Sequence, residues 1–141
     1  MNTKVLIIGQ APPNVSQKYP YDTTQLYDWL SEIGVSKERA QEIFEFDAVY
    51  DRFPGFDSNG GHLKPTKEQM DEYWERGLKN KARNSKTIIL LGNVARDYFN
   101  LKNTPTDVKV YNLIHPSKRN ISIYNKNKDS ILSILREAIK E

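Results

Sequence analysis

Residues 4–9, KVLIIG, form the stretch that decides the fold. The run is apolar and β-branched, and Gly9 ends it shortly before prolines at positions 12 and 13. Strands with two apolar faces occur in parallel sheets that helices cover on each side. We therefore expect a buried strand here.

Strand and helix patterns alternate along the rest of the chain. Further strands are predicted at residues 46–50, 87–91 and 109–114. Helices are predicted at residues 22–33 and 36–44, from residue 66, at residues 92–100, and around 131–139. This alternation implies parallel strands and right-handed crossovers. We expect one domain over residues 1–141, a three-layer α/β/α sandwich with a central, mainly parallel four-stranded sheet.

Capping signals support the two helices that start near residues 22 and 66. Asp22 and Gln25 suit the first helix start and Gly34 its end, while Thr66 and Gln69 form a capping box. The apolar stripes are Leu26, Trp29, Leu30 and Ile33 in the first helix, Met70, Tyr73, Trp74 and Leu78 in the second, and Ile131, Leu132, Ile134, Leu135, Ala138 and Ile139 in the terminal helix.

Composition restricts the classes of function. The chain has no cysteine, which excludes disulfides and thiolate-ligated zinc or iron–sulfur centres, and its two histidines do not favour a histidine-rich metal site. We expect no cofactor. The net charge of +3 is compatible with nucleic acid without identifying it. The apolar runs are too short for a membrane span or signal peptide, so we expect a cytoplasmic protein with no membrane partner.

Candidate site residues gather at the carboxyl ends of the predicted strands. Ligands of open parallel sheets bind outside these ends. Gln10, Asp47, Asn93 and His115 each lie at or near such an end. One shared cleft is therefore predicted.

The loop at residues 115–120, HPSKRN, has the most specific chemistry. His115, when neutral, can donate a hydrogen bond to a carbonyl oxygen that gains negative charge as a bond breaks. Ser117 can hold a phosphate oxygen, and Lys118 and Arg119 attract a nucleic-acid backbone. The alternative is a surface turn with a hydrogen-bonded histidine.

Three further features are less specific. The loop GQAPP at residues 9–13 can hold Gln10 against a planar ligand, or it is an ordinary turn. The rings of Tyr19 and Tyr21 offer stacking surfaces for a base, or they are core residues. The cations Lys79, Lys81, Arg83 and Lys86 suit a helix end, with phosphate contact as the alternative.

Five motifs in order resemble the uracil-DNA glycosylase superfamily. They are GQAPP at 9–13, YPYDTTQLYDWLSEIG at 19–34, FEFDAVYDRFPGF at 44–56, IILLGNVARDYF at 88–99 and IHPSKRN at 114–120. The middle motifs look like bacterial branches related to the iron–sulfur enzymes. The last is similar to the loop of the single-strand-selective monofunctional branch.

The resemblance implies a DNA glycosylase of base excision repair that flips a base out of the helix. Gln10 and Ala11 would lie in the water-activating loop, and Tyr21 would stack on the base. Asp47 falls where relatives have a base-recognising asparagine, and His115 would stabilise the departing base as an anion. The resemblance assigns Asn93 to substrate binding. It assigns contact with the DNA backbone to Pro12, Ser117, Lys118, Arg119 and Asn120.

The chain departs from the family pattern at three places. The first loop has Gln10 and Ala11 where some relatives have a carboxylate base, so catalysis depends on leaving-group stabilisation and a positioned water, or is absent. Cluster-ligating cysteines are missing, with Asp51 near one expected position, so stability must come from packing. Asp47 replaces an amide; if ionised it accepts from the amino group of cytosine and cannot donate to O4 of uracil. The alternative is that Asp47 is protonated, or only caps a turn.

The sequence thus predicts a monofunctional glycosylase for a uracil-like or modified pyrimidine, because the expected cleft loops contain no evident Schiff-base lysine. Single- or double-stranded DNA is the expected partner of a monomer, with a protein partner left open. One alternative is a non-catalytic nucleic-acid-binding module on the same fold. Another is a nucleotide-binding protein that acts on small molecules.

Overall fold

The computed structural model describes residues 5–10, 24–56, 58–59, 63–102, 108–113 and 121–139. Within these residues the chain forms a four-stranded sheet in the order β2-β1-β3-β4. Every neighbouring pair of strands is parallel, which confirms the predicted sheet. The strands are β1 (Val5–Gly9), β2 (Phe44–Ala48), β3 (Thr87–Leu91) and β4 (Lys109–Leu113).

Helices pack on both faces of the sheet, and the predicted α/β/α sandwich is confirmed. One layer contains α1 (Thr24–Glu32), α2 (Lys37–Ile43) and α6 (Ile121–Ile139). The other contains α3 (Lys67–Tyr73), α4 (Lys79–Arg83) and α5 (Gly92–Leu101). A π-helical turn over Trp74–Leu78 connects α3 directly to α4. Across the described ranges, no helix has the length and apolar character needed to cross a membrane.

β1 contributes to both hydrophobic layers. Its side chains alternate between the two faces of the sheet. Val5 and Ile7 therefore pack in the layer of α1, α2 and α6, and Leu6 and Ile8 pack in the opposite layer. All four side chains are at most 7% exposed. The burial on both faces that the apolar run predicted is confirmed.

The predicted helix boundaries depend on local hydrogen bonds. Gly34 has φ of +83°, and its N–H donates to the Ser31 carbonyl while the Val35 N–H donates to the Leu30 carbonyl. This pair of bonds is the Schellman motif, which ends a helix. At the start of α3, Thr66 and Gln69 form the predicted capping box in full. Asp22 lies outside the described residues.

β2 begins and ends two residues earlier than predicted. Phe44 follows α2 without a connecting loop, since its N–H still donates to the Ala40 carbonyl while its backbone already pairs with Val5. The ladder ends where Ala48 pairs with Gly9, the last residue of β1. The length of β1 therefore sets the length of β2, and the sequence of β2 alone does not contain that limit.

Two glycine substitutions should change stability in opposite directions. Gly34→Ala should lower the free energy of unfolding by about 1–2 kcal/mol, because an L-residue with positive φ is strained. Gly77→Ala should raise it by about 0.5–1 kcal/mol, because alanine is the better helix former. Its added Cβ would lie 4.0 Å from Cε1 of Tyr73, an ordinary contact. Urea unfolding of both variants measures the two changes in the free energy of unfolding. Changes of the same sign in both variants would contradict this account.

Candidate functional site

The strand order places a topological switch point between the carboxyl ends of β1 and β3, the position at which open parallel sheets form a ligand crevice. From β1 the chain continues to α1 and α2 on one face, whereas from β3 it continues to α5 on the other face. Ligands of doubly wound sheets bind where the connections diverge in this way. Gln10 follows β1 directly, and Asn93 is the second residue of α5. These two residues therefore flank the crevice.

The structure describes three of the predicted site residues. Gln10 is half-buried, Asn93 is exposed, and Asp47 is buried. Asp47 pairs in register with Ile8, so it lies below the level of Gln10 within the sheet. The other predicted site residues lie outside the described ranges, and their roles stay predictions: Ala11, Pro12, Tyr21, His115, Ser117, Lys118, Arg119 and Asn120.

Asp47 is a buried carboxylate with three donors around it. Its side chain points to the face of Ile8, towards α3 and α4, because register partners in neighbouring strands share a face. The Tyr73 hydroxyl lies 2.9 Å from each carboxylate oxygen. The Lys81 ammonium donates to Oδ2 at 2.7 Å, and the Ala48 N–H donates to Oδ1 at 2.8 Å. A buried carboxylate without such partners is costly, so these donors stabilise it.

The π-helical turn brings Tyr73 and Lys81 onto the same side of their helix. The Lys79 N–H donates to the Trp74 carbonyl, five residues earlier, as in a π-helix. In a regular α-helix, two residues eight positions apart differ by about 80° around the axis. One inserted residue reduces this offset to about 20°. The turn thus directs both side chains at Asp47.

The Asp47 carboxylate raises the pKa values of the two side chains that contact it. Burial and the nearby Asp47 carboxylate raise the pKa of Tyr73 to about 12. Burial disfavours the charge of Lys81, but the hydrogen bond and the charge of Asp47 outweigh it, and the pKa of Lys81 rises above its usual 10.5. Lys81 is therefore an ammonium ion and Tyr73 a neutral donor at physiological pH.

Sequence reasoning did not assign Tyr73 or Lys81 to the site. Tyr73 was predicted as an inward-facing member of an apolar stripe, and it is buried as predicted. Lys81 was grouped with the cations of a helix end, and its helix does end at Arg83. Its long side chain nevertheless reaches the sheet, and its side chain is 43% exposed. A buried aspartate in a strand was the available signal that a cation would lie nearby.

Asp51, near an expected cysteine position, holds the segment after β2 to the π-helical turn. Nη1 and Nη2 of Arg76 each lie 2.7 Å from one oxygen of Asp51, in a bidentate pair. Arg76 also donates to Glu72 from Nε. The hydrogen bond from Arg76 lowers the pKa of the Asp51 carboxyl. An ion pair therefore joins this segment to the helix in addition to packing.

A second polar cluster joins α3 to α5. Asp71 accepts hydrogen bonds from Lys67 and from the Tyr98 hydroxyl, both at 2.7 Å. Lys102 lies 3.2 Å from Asp71 and above the rings of Trp74 and Tyr98. Hydrogen bonds from Lys67 and Tyr98 lower the pKa of Asp71. This cluster fixes the helix layer against which Asp47 packs.

Alkaline pH should destabilise the protein through Tyr73 and Lys81. Above about pH 10 the unfolded chain releases the tyrosine proton that the folded protein keeps until about pH 12, so the free energy of unfolding falls as pH rises. The stabilisation from Lys81 is complete below its unfolded pKa of 10.5 and is lost as pH rises through the higher folded value. The contributions of Tyr73 and Lys81 therefore both lower the free energy of unfolding as the pH rises.

Urea unfolding between about pH 9 and about pH 12 tests this. The fall in stability should be shallower in Tyr73→Phe than in the wild type. Tyr111→Phe, in β4 at the opposite edge of the sheet from β2, is the matched control and should retain the wild-type slope. Identical slopes in all three proteins would contradict the assignment.

Comparison with known protein families agrees with this geometry. Residues 1–138 match the family model described as the Uracil DNA glycosylase superfamily, a range that begins before β1 and extends almost to the end of α6. None of the curated proteins compared with the chain matches it. The predicted resemblance is confirmed for the superfamily, and the predicted branch features stay predictions.

Proposed function

The chain belongs to the uracil-DNA glycosylase superfamily, whose members are hydrolytic DNA glycosylases, and we propose that it excises a uracil-like or modified pyrimidine base from DNA. The observation that carries this proposal is the family match over nearly the whole chain. The crevice between β1 and β3 supports it, because Gln10 lies at its edge, in the loop where relatives position the attacking water.

The reaction is the hydrolysis of one N-glycosidic bond. Water forms a bond to C1′ of the deoxyribose, and the bond from C1′ to the base nitrogen breaks with its electron pair on the base. His115 donates a hydrogen bond to the carbonyl oxygen of the departing base and stabilises its negative charge. Gln10 orients the water, whose proton passes to solvent. Since loop 9–13 has no carboxylate, leaving-group stabilisation supplies most of the rate enhancement.

A monofunctional mechanism fits the state of the lysine beside the sheet. A Schiff-base mechanism needs an unprotonated amine as the nucleophile. Lys81 is held as an ammonium ion by Asp47, since its pKa is raised. Water is therefore the nucleophile in this proposal, and the products are a free base and an abasic site.

Base choice is assigned to Asp47, at the position where the resemblance places an asparagine. The side-chain partners of Asp47 support its ionised form over the protonated one. Lys81 and the Tyr73 hydroxyl both donate to Oδ2, and the Lys81 ammonium cannot accept a proton from it. An ionised carboxylate accepts from the exocyclic amino group of a cytosine-type base. The proposal therefore favours cytosine-type or 5-substituted cytosine substrates over unmodified uracil.

A base-release panel tests the activity. Single- and double-stranded oligonucleotides carrying uracil, cytosine, 5-substituted cytosine, thymine or hypoxanthine are incubated with the protein, and the free base is quantified by mass spectrometry. Release of an amino-bearing pyrimidine is the expected result. DNA binding without release of any base would support the binding module instead. Excision of uracil alone would remove the assignment of base choice to Asp47.

The role of His115 has its own test. His115→Ala should lower the rate of base release about a hundredfold or more, as loss of an oxyanion donor does elsewhere, with the unfolding curve unchanged. His62→Ala, at the chain's other histidine, is the matched control and should keep the wild-type rate. A His115→Ala variant with full activity would contradict the mechanism.

A further inference from the structure

Among the described residues, Asp47 is the only one with a charged side chain that is buried, at 6% exposure. It lies on an edge strand, next to the end of β1 that leads into Gln10. Two donors reach it from a single helical segment, and that segment contains a π-helical turn. Such turns occur often at functional sites.

The hydrogen-bonding capacity of Asp47 is nearly, but not completely, used. An ionised carboxylate has about four acceptor positions. The Ala48 N–H and one proton of the Lys81 ammonium occupy two of them. The Tyr73 hydroxyl has a single proton to share between the two oxygens, which it approaches equally at 2.9 Å. With the donors that the described residues supply, about one acceptor position of Asp47 therefore remains for a ligand.

We propose that Lys81 and Tyr73 are positioning residues that set base choice through Asp47, leaving it as an oriented carboxylate with one position that accepts an amino group. This inference rests on the proposed function and adds the residues that determine its specificity. Lys81 keeps the carboxylate ionised, and Tyr73 fixes the plane of its two oxygens. A base that offers a carbonyl oxygen at this point would face an acceptor and be rejected.

The chemistry of a lysine and of a tyrosine suits the two side chains that donate to Asp47. Lys81 has only donors, so Oδ2 beside it cannot hold a proton in a favourable contact. Tyr73 is 7% exposed and its pKa is raised to about 12, so it stays a donor and keeps water from its side of Asp47. Glu45, the other charged residue of β2, is exposed, and its charge adds to that of Asp47 in raising the pKa of Lys81.

The first experiment compares bases within each variant. The ratio of release rates, cytosine-type base over uracil, is measured from the same oligonucleotide sequence for the wild type, Lys81→Met, Lys81→Arg and Tyr73→Phe. The ratio should fall about tenfold in Lys81→Met, equivalent to losing one discriminating hydrogen bond. Lys81→Arg keeps the cation and should restore most of it. A smaller fall is expected in Tyr73→Phe.

A ratio within one variant is independent of the fraction of folded protein, so a purely structural role of Lys81 would leave it unchanged. Lys79→Met is the matched control, because Lys79 lies on the same helix and contacts Glu75 at the surface. It should keep the wild-type ratio. An unchanged ratio in both Lys81→Met and Tyr73→Phe would overturn the inference while base release itself upholds the glycosylase proposal. Absence of base release from every substrate would overturn the proposed function instead.

The second experiment needs no catalysis. Lys81→Met should shift the urea unfolding midpoint downwards in the wild-type background, and this shift should largely disappear in the Asp47→Asn background. The same cycle with Lys79→Met should give equal shifts in both backgrounds. If Lys81→Met and Asp47→Asn act additively, Lys81 does not support Asp47, and the inference is wrong whatever the activity.

Discussion

Parallel pairing of β1 on both of its edges is the constraint on which the rest of the structure depends. β1 pairs in parallel with β2 and β3, and parallel strands need crossover connections whose helices cover the faces of the sheet, so the side chains of β1 are apolar in both directions. Helices then have to cover each face, because neither layer alone would remove all of β1 from water. The same pairing fixes where the chain turns away from the sheet. The divergence of the connections after β1 and β3 places a crevice beside Gln10.

The buried Asp47 carboxylate on β2 is an exception to this apolar packing. Its partners show what the burial of a charge in the sheet requires. An apolar side chain is expected in β2 at the position paired with the buried Ile8. Asp47 nevertheless occupies that position. Its burial is possible because a helix in the next layer supplies a cation and a hydroxyl in the right orientation. The irregular π-helical turn is thus tied to a polar requirement of the sheet.

Local patterns were sufficient for most of the fold, and the failures concern features that depend on distant residues. The strand at Thr87–Leu91, the capping box at Thr66 and the helix end at Gly34 follow from nearby residues, and all are confirmed. The boundaries of β2 depend on the length of β1, and the partners of Asp47 lie 26 and 34 positions away along the chain. Helical periodicity gives no sign of an inserted residue, so it could not show that Lys81 turns towards the sheet. At the site, the positions of Gln10, Asp47 and Asn93 near the strand ends were predictable, and the hydrogen-bonding state of Asp47 was not.

The fork between Arg76 and Asp51 has a consequence for the conditions under which the protein can work. The resemblance to the iron–sulfur branches implies a cluster-ligating cysteine near this position in those enzymes, and such a cluster must be assembled and can be destroyed by oxidants. In this chain, which has no cysteine, two hydrogen-bonded charges hold that segment to the helix. Such a link forms as soon as the chain folds, without iron supply or maturation factors, and it is indifferent to oxidative stress. The strength of this ion pair depends on ionic strength instead, because both side chains are partly exposed and salt screens their attraction.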